Sequence, residues 1–200
     1  MENTNYLSHP AISYVQLHQL RKYLKGVNGF IAGGCFKNIF QGQKARDIDI
    51  FFENVENYES ALKVYKSKKN LKEVYSNDNC TGFYDTKNKI SVELIKSIFG
   101  ACQETLERFD FTIVKVAFYS PPGDKEPQLI YHFKFFEHLL LRRLVIDGEV
   151  AKPVATFNRA LKYAKYGYGL CRESKQILTK LVIERGDVTQ LTNDLYFGFD

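Results

Sequence analysis

Tryptophan is absent from this 200-residue sequence, and cysteine, histidine, proline and methionine are all scarce. The four cysteines lie far apart, form no Cys-x-x-Cys pair and are accompanied by only four histidines. A structural zinc site needs closely spaced pairs of such ligands, so this class of site is not expected. The sequence instead predicts free thiols, as in a reducing cytoplasm.

Long apolar runs are missing as well. No segment reaches the roughly 18 uninterrupted apolar residues that a membrane-spanning helix requires. The N-terminal sequence MENTNYLSHPAIS has no basic stretch followed by an apolar one, which is the pattern of a secretory signal peptide. These absences predict a cytoplasmic protein without a membrane partner.

Aromatic residues are abundant, with 16 phenylalanines and 13 tyrosines, and hydrophobic residues make up 44% of the chain. This composition predicts a folded core over most of the length. The net charge of +5 permits an anionic partner such as a nucleotide or RNA without requiring one. Exposed aromatic rings stack on unpaired bases in RNA-binding proteins, although we expect most of these rings to lie in the core.

Strand and helix patterns alternate up to about residue 133 and are helical afterwards. A helix is predicted at residues 12–25. The apolar strand GFIAGG, the short helix CFKNIFQG and the alternating strand RDIDIFFE follow one another, and a hairpin turns around residues 85–88. A strand is predicted over DFTIVKVAFY, and after the turn-rich loop SPPGDKEP the segment LIYHFKF is expected to pair back with it. We therefore predict an α+β fold with a small mixed or antiparallel sheet flanked by helices. The predicted domains are residues 1–133, which include an N-terminal helix, and a helical C-terminal unit over residues 134–200.

The first candidate for chemistry is the Asp-Ile-Asp sequence of the alternating strand. Side chains on a strand alternate between faces, so Asp47 and Asp49 are expected on the same face. Two adjacent carboxylates repel each other unless a cation is bound, and Mg²⁺ prefers oxygen ligands of this kind. The alternative is a half-buried surface strand whose acidic residues point into water.

The paired glycines Gly33 and Gly34 stand between the apolar strand and the short helix. Without a Cβ, their backbone allows an anionic group to approach closely, and the N–H groups at a helix N-terminus favour phosphate. The alternative is an ordinary tight turn between strand and helix. Because only one short helix separates the glycines from Asp47 and Asp49, the combination favours a site for a nucleoside triphosphate and a metal.

Two-metal phosphoryl-transfer sites usually include a third carboxylate on a neighbouring strand. Glu93, in the apolar strand SVELI, and Asp110, at the start of DFTI, are the candidates. We favour Glu93, because an acidic residue in the middle of an apolar strand is costly unless it is paired or metal-bound. An outward-facing Glu93 on that strand remains the alternative.

The segment IAGGCFKNIFQGQKARDIDIFF resembles the signature of the polymerase-β-like nucleotidyltransferase superfamily, in particular the head domain of CCA-adding enzymes and bacterial poly(A) polymerases. That signature consists of paired glycines, a short helix, a further glycine, a basic residue and an Asp-x-Asp sequence. Gly33, Gly34, Gly42, Asp47 and Asp49 match it. The resemblance extends in patches over residues 28–169.

Two further segments resemble elements of the same family, in the same order. RFDFTI is similar to an Arg-Arg-Asp-Phe-Thr-Ile element near the nucleotide sugar, which implies a nucleotide-binding role for Arg108 and Asp110. RALKYAKYGY is similar to the basic helix that follows the head domain, which implies the same for Arg159 and Lys162.

The resemblance implies a nucleotidyltransferase that uses two Mg²⁺ ions, with Mn²⁺ as an alternative. Asp47, Asp49 and Glu93 would be the catalytic metal ligands. The backbone of the paired glycines would bind the triphosphate, with Lys37 or Arg46 nearby to neutralise its charge. The substrate would be a nucleoside triphosphate.

The sequence also departs from the family pattern. Lys37-Asn38 replaces an Arg-Asp pair, Phe109 replaces an arginine and Val114 replaces an asparagine. The metal ligands are retained, whereas the inference to a tRNA substrate is weakened. The expected acceptor is an RNA 3′ end such as that of tRNA. The alternatives are a protein or small-molecule acceptor, or a non-catalytic protein that binds a nucleotide or another protein.

Overall fold

A mixed eight-stranded sheet organises most of the first 133 residues in the computed structural model, which describes residues 5–119 and 126–185. The strands are β1 (Tyr6–Pro10), β2 (Phe30–Ala32), β3 (Asp47–Phe52), β4 (Leu71–Ser76), β5 (Cys80–Asp85), β6 (Ile90–Phe99), β7 (Val116–Tyr119) and β8 (Gln128–His132). Their order across the sheet is β1-β8-β7-β2-β3-β6-β5-β4. The pair β3–β6 is parallel, and the other pairs are antiparallel.

The helices of this part of the chain are short apart from one. They are α1 (Arg21–Leu24), α2 (Cys35–Phe40), α3 (Val55–Ser67) and α4 (Cys102–Glu107). Helix α3 begins where the side chain of Asn54 accepts a hydrogen bond from the backbone N–H of Asn57 at 2.9 Å, the usual stabilisation of a helix N-terminus.

The two faces of the sheet are covered by different helices. On one face, Phe52 and Phe83 make ring contacts with Tyr58 and Tyr65 of α3, with centroid distances of 5.7 and 5.3 Å. On the other face, a cluster of buried residues includes Phe30, Phe51 and Leu106 of α4. The strand periodicity of β3 places Ile48 and Ile50 in the core and its two aspartates on the opposite face, where Asp47 is exposed and Asp49 is half-buried.

The chain divides into two compact units. The first comprises Met1–Phe109 and Val114–Phe133, and the second comprises Asp110–Ile113 and Lys134–Asp200. The second unit contains the helices α5 (Phe135–Leu140), α6 (Pro153–Ala164) and α7 (Arg172–Arg185), with a short parallel pair formed by β9 (Arg143–Leu144) and β10 (Gly169–Leu170). The expected domains, residues 1–133 and 134–200, stay a prediction.

Three elements differ from the sequence-based expectation. The helix expected at residues 12–25 consists of 3₁₀ turns at Ala11–Ser13 and Val15–Leu20, followed by α1. Leu17 and Leu20 are both buried, and their spacing of three matches the 3₁₀ period. The strand expected over DFTIVKVAFY is restricted to β7, because Thr112–Val114 forms a 3₁₀ turn and the Thr112 N–H bonds to Val145.

Strand β4 was not predicted. It is an edge strand on which only Leu71 is buried, so its sequence does not alternate between apolar and polar residues. The predicted loop SPPGDKEP falls largely outside the described residues, and the hairpin partner that follows it is β8.

In the described part of the chain, none of the helices combines the length and apolar character needed to cross a membrane.

Candidate functional site

Asp47 and Asp49 lie on β3 and share a face of the sheet, as the alternation predicts. Asp47 is exposed and Asp49 is half-buried, while the intervening Ile48 is only 1% exposed. The buried isoleucines on the opposite face hold the strand in place and fix the direction of both carboxylates. The two carboxylates are therefore presented on a rigid element near solvent.

The paired glycines lie against this strand. β2 ends at Ala32, which is the cross-strand partner of Asp49, and Gly33 follows with a φ of +93° that favours glycine. A Cβ placed on Gly33 would lie 3.8 Å from Oδ2 of Asp49. Gly34 has a helical φ of −68° and caps the start of α2. The tertiary structure thus brings the glycine turn beside the carboxylate.

The first residue of α2, Cys35, lies in the field of both aspartates. Burial raises the pKa of the Cys35 thiol well above its usual range, and the negative charges of Asp49 and Asp47 raise it further. The thiol is therefore protonated at neutral pH. The negative charges of Asp47 and Asp49 thus both influence the first residue of α2.

Glu93 is the cross-strand partner of Asp49 in the parallel pair β3–β6. It is half-buried, and its Oε1 accepts a hydrogen bond from the hydroxyl of Tyr75 at 2.5 Å. Burial, and after it the bond to the Glu93 carboxylate, raises the pKa of Tyr75, so the hydroxyl keeps its proton and acts as the donor. Tyr75 was not predicted as a functional residue, because β4 has no strand periodicity that could have indicated it.

Asp47 and Asp49 fit a divalent cation in the chemistry of their donors, since hard oxygen ligands are those that Mg²⁺ prefers. Over residues 5–119 and 126–185, however, no group of three or more His, Cys, Asp or Glu side chains is arranged to hold a metal ion. Glu93, the predicted third ligand, accepts a hydrogen bond from Tyr75 instead. The aspartate pair thus fits a metal, and Glu93 does not complete the set as it stands.

The two predicted phosphate-neutralising cations differ in exposure. Lys37 is 6% exposed within α2, and its Nζ donates to the Asn38 side-chain oxygen at 2.6 Å. Arg46, one residue before β3, is exposed. Of the two, Arg46 is the cation that solvent and ligands reach directly.

The remaining predicted residues are divided between the two compact units. Arg108 is exposed in the first unit, just after α4. In the second unit, Asp110 is buried and accepts a hydrogen bond from Nε of Arg159 at 2.6 Å, while Lys162 on the same helix as Arg159 is exposed. The nucleotide-binding roles of these four residues stay predictions.

Phe109, which stands where the family pattern has an arginine, packs beside the glycine turn. Its ring lies 5.6 Å from the ring of Phe51, and its Cε2 would lie 3.7 Å from a Cβ on Gly33. An apolar ring therefore borders the glycine turn at a position where a cation would have added positive charge.

Several solved structures of tRNA-processing enzymes are similar to this chain in fold. A CCA-adding enzyme in complex with ATP has a TM-score of 0.63 at 19% identity, covering 94% of this chain and 47% of that one. The Thermotoga maritima CCA-adding enzyme in complex with tRNA has a TM-score of 0.56 at 20% identity, covering 88% and 43%. A tRNA nucleotidyltransferase with a primer tRNA and an ATP analogue has a TM-score of 0.60 at 19% identity, covering 90% and 54%.

These likenesses confirm the predicted α+β fold and its resemblance to the fold of CCA-adding enzymes. The chain spans about half the length of the structures it matches. No curated protein sequence matches it.

A family assignment comes from the sequence itself. The Gabija anti-defense 2 (Gad2) family matches residues 10–142, which is more than half of the chain. The matched region contains the glycine turn, the aspartate pair and Glu93. The chain therefore belongs to the Gabija anti-defense 2 family.

Proposed function

We propose that this protein is a metal-dependent nucleotidyltransferase, which moves a nucleoside monophosphate from a nucleoside triphosphate to a hydroxyl acceptor. The observation that carries the proposal is the position of the Asp49 carboxylate, whose Oδ2 lies 3.8 Å from a Cβ built on Gly33. A turn that admits phosphate and a carboxylate that binds a cation are thus adjacent. A triphosphate with a bound cation needs a phosphate-binding backbone and a carboxylate ligand close to each other.

In this proposal Asp47 and Asp49 hold the cation, which when bound neutralises triphosphate charge and lowers the pKa of the attacking hydroxyl. Gly33 and Gly34 allow the phosphate groups to approach the backbone. Arg46 is exposed next to Asp47 and supplies positive charge. Buried Lys37 contributes charge from inside α2 without lying at the surface.

The proposed reaction needs no reactant besides the nucleoside triphosphate and the hydroxyl acceptor. The acceptor hydroxyl oxygen forms a bond to the α-phosphorus, and the bond from that phosphorus to the β-phosphate oxygen breaks. Pyrophosphate leaves with the electron pair of the broken bond, and the hydroxyl proton passes to solvent. The chain's own contribution is to align the triphosphate and to stabilise its charge.

The acceptor that we favour is an RNA 3′ end such as that of tRNA. The net charge of +5 suits a polyanion, and similar folds have been solved with tRNA bound. The chain spans about half of those proteins, so the acceptor is part of the proposal.

A second candidate is supported by the family description, which assigns Gabija anti-defense to its members. In this alternative the protein either transfers the nucleotide to another protein or binds a partner without catalysis. The Tyr75–Glu93 bond favours the non-catalytic form, because it leaves the predicted metal ligands incomplete.

The test is to incubate the full chain with Mg²⁺ and one α-labelled nucleoside triphosphate at a time, in the presence of total RNA or of a protein extract. Labelled RNA would support the favoured acceptor, and labelled protein would support the protein-modifying alternative. Asp47→Asn and Asp49→Asn should remove all labelling. The matched control is Asp78→Asn, which changes an exposed acidic residue outside the site. Nucleotide binding without labelling would contradict transfer.

A further inference from the structure

We propose that the hydroxyl of Tyr75 holds the Glu93 carboxylate away from Asp49. Glu93 then cannot bind a metal together with Asp47 and Asp49 until the Tyr75–Glu93 hydrogen bond breaks, and we call Tyr75 the latch for this reason. The proposal rests on the proposed function, because it concerns the same metal site. It concerns regulation of that site by a residue on the edge strand β4.

Four residues on adjacent strands form one cross-strand row. Asp49 on β3 pairs with Glu93 on β6, Glu93 pairs with Gly82 on β5, and Gly82 pairs with Tyr75 on β4. Directly paired residues direct their side chains to the same face of a sheet. Tyr75 and Asp49 therefore flank Glu93 from opposite sides of this row.

Gly82 makes the contact between Tyr75 and Glu93 geometrically feasible. A Cβ at Gly82 would overlap the ring of Tyr75, so this ring crosses β5 only because the position is glycine. The register shift between Glu73 and Tyr75 is a β-bulge or irregularity of the kind that re-aims a side chain. The hydroxyl of Tyr75 thereby reaches a residue two strands away.

Electrostatics explain why Glu93 is drawn toward Tyr75. Like charges directly opposite each other on neighbouring strands are unfavourable, and Asp49 and Glu93 are such a pair. The hydroxyl of Tyr75 offers a charge-assisted hydrogen bond at 2.5 Å on the other side. A divalent cation bound to Asp47 and Asp49 would compete with that hydroxyl for Glu93. The described residues accordingly contain no three-residue metal group.

The latch lies at the surface of the outer strands. The Tyr75 side chain is 42% exposed, and it lines a cavity of about 530 Å³ with Val74, Phe83 and Tyr84 on the outer strands.

The experiment measures Mn²⁺ binding to the full chain by the loss of the free Mn²⁺ signal in electron paramagnetic resonance. Tyr75→Phe removes the competing hydroxyl while keeping the ring, so we expect roughly tenfold tighter binding, the worth of one hydrogen bond to a charged group. Gly82→Ala should act in the same direction by displacing the ring. Tyr84→Phe is the matched control, an exposed tyrosine on β5, and should leave the affinity unchanged.

A double-variant comparison assigns the effect to Glu93. If Glu93 is the residue released, the gain produced by Tyr75→Phe should disappear in the Glu93→Gln background. Unchanged or weaker binding in Tyr75→Phe would overturn the latch, as would a gain that persists with Glu93→Gln. In those cases the wild type still binds Mn²⁺, and only the latch fails. Absence of Mn²⁺ binding in the wild type and all variants would refute the proposed function and the latch together.

Discussion

Asp49 and Glu93 are direct neighbours across the parallel strands β3 and β6. Two carboxylates in this relationship destabilise a sheet when no cation lies between them, by up to about 1 kcal/mol. A cation bound between the two carboxylates would remove this repulsion.

Asp49→Asn should raise the free energy of unfolding in the presence of EDTA by up to about 1 kcal/mol, because it relieves repulsion with Glu93. The same change should remove metal-dependent nucleotide transfer. Thermal unfolding and labelled-nucleotide incorporation measure the two effects. Asp78→Asn, at an exposed position, serves as the control and should change neither. A destabilised Asp49→Asn protein would assign the carboxylate a structural role.

The two glycines should respond differently to alanine. Gly33→Ala introduces a Cβ at a φ of +93° and should lower the free energy of unfolding by about 1–2 kcal/mol. Gly34 has a helical φ of −68°, so Gly34→Ala should not destabilise the protein.

Affinity for a nucleoside triphosphate separates backbone strain from phosphate contact. If the phosphate approaches the backbone at this turn, Gly34→Ala should weaken the affinity in a fluorescence titration although stability is unchanged. Gly169→Ala is the control, since a Cβ there meets nothing within 4 Å. Unchanged affinity in Gly34→Ala would argue against a phosphate at this glycine.

Arg159→Ala should destabilise the second unit by about 1–2 kcal/mol, because it leaves the buried carboxylate of Asp110 without its 2.6 Å partner. Asp110→Asn in the same chain should cancel most of the loss, and a double-mutant cycle in urea measures this coupling. Lys162→Ala, an exposed cation on the same helix, should have no effect on stability. Additive losses would show that the pair is not coupled.

His138 should make the second unit sensitive to acid. Burial lowers the pKa of His138, and its Nδ1 lies 2.7 Å from the Thr112 hydroxyl. A histidine with a lowered folded pKa binds its proton more readily when unfolded, so stability rises with pH in this range. Stability should therefore be complete above the unfolded pKa of about 6.5 and decline as the pH falls toward the lower folded pKa.

Unfolding midpoints in urea between pH 7.5 and pH 5 measure this effect. His138→Gln should be less stable at neutral pH but should lack the part of the pH dependence due to His138. The exposed His18 provides the comparison, since His18→Gln should retain the full pH dependence. An unchanged pH profile in His138→Gln would remove His138 as the cause.

The local sequence was sufficient to predict the strand that carries the two aspartates and the helix before it. The alternation of RDIDIFF predicted β3 correctly, because burial of Ile48 and Ile50 forces Asp47 and Asp49 to the other face. Gly42, with a φ of +71°, ends α2 where the sequence predicted. Both features are local. The alternation of side chains along a strand and the positive φ of a glycine can each be recognised from a few consecutive residues.

Long-range contacts could not be predicted in the same way. The sequence of β4 carries no alternation, since every residue of this strand after Leu71 is exposed, so the hydrogen bond from Tyr75 to Glu93 was not predicted. The burial of Lys37 inside α2 and the pairing of Asp110 with Arg159 were missed for a related reason. Each of these features depends on residues outside the local segment, and the local pattern around one residue does not identify the others.

Local sequence patterns thus specify the strand–glycine–helix–strand unit around Asp47 and Asp49 and the α+β class of the fold. The direction of the Glu93 side chain, toward Tyr75, follows from tertiary contacts instead. Its direction depends on the order β3-β6-β5-β4, on the missing side chain at Gly82 and on the hydroxyl of Tyr75 beyond it. Such a bond forms between strands that meet in the sheet, and its energy depends on their register rather than on the local preference of either segment.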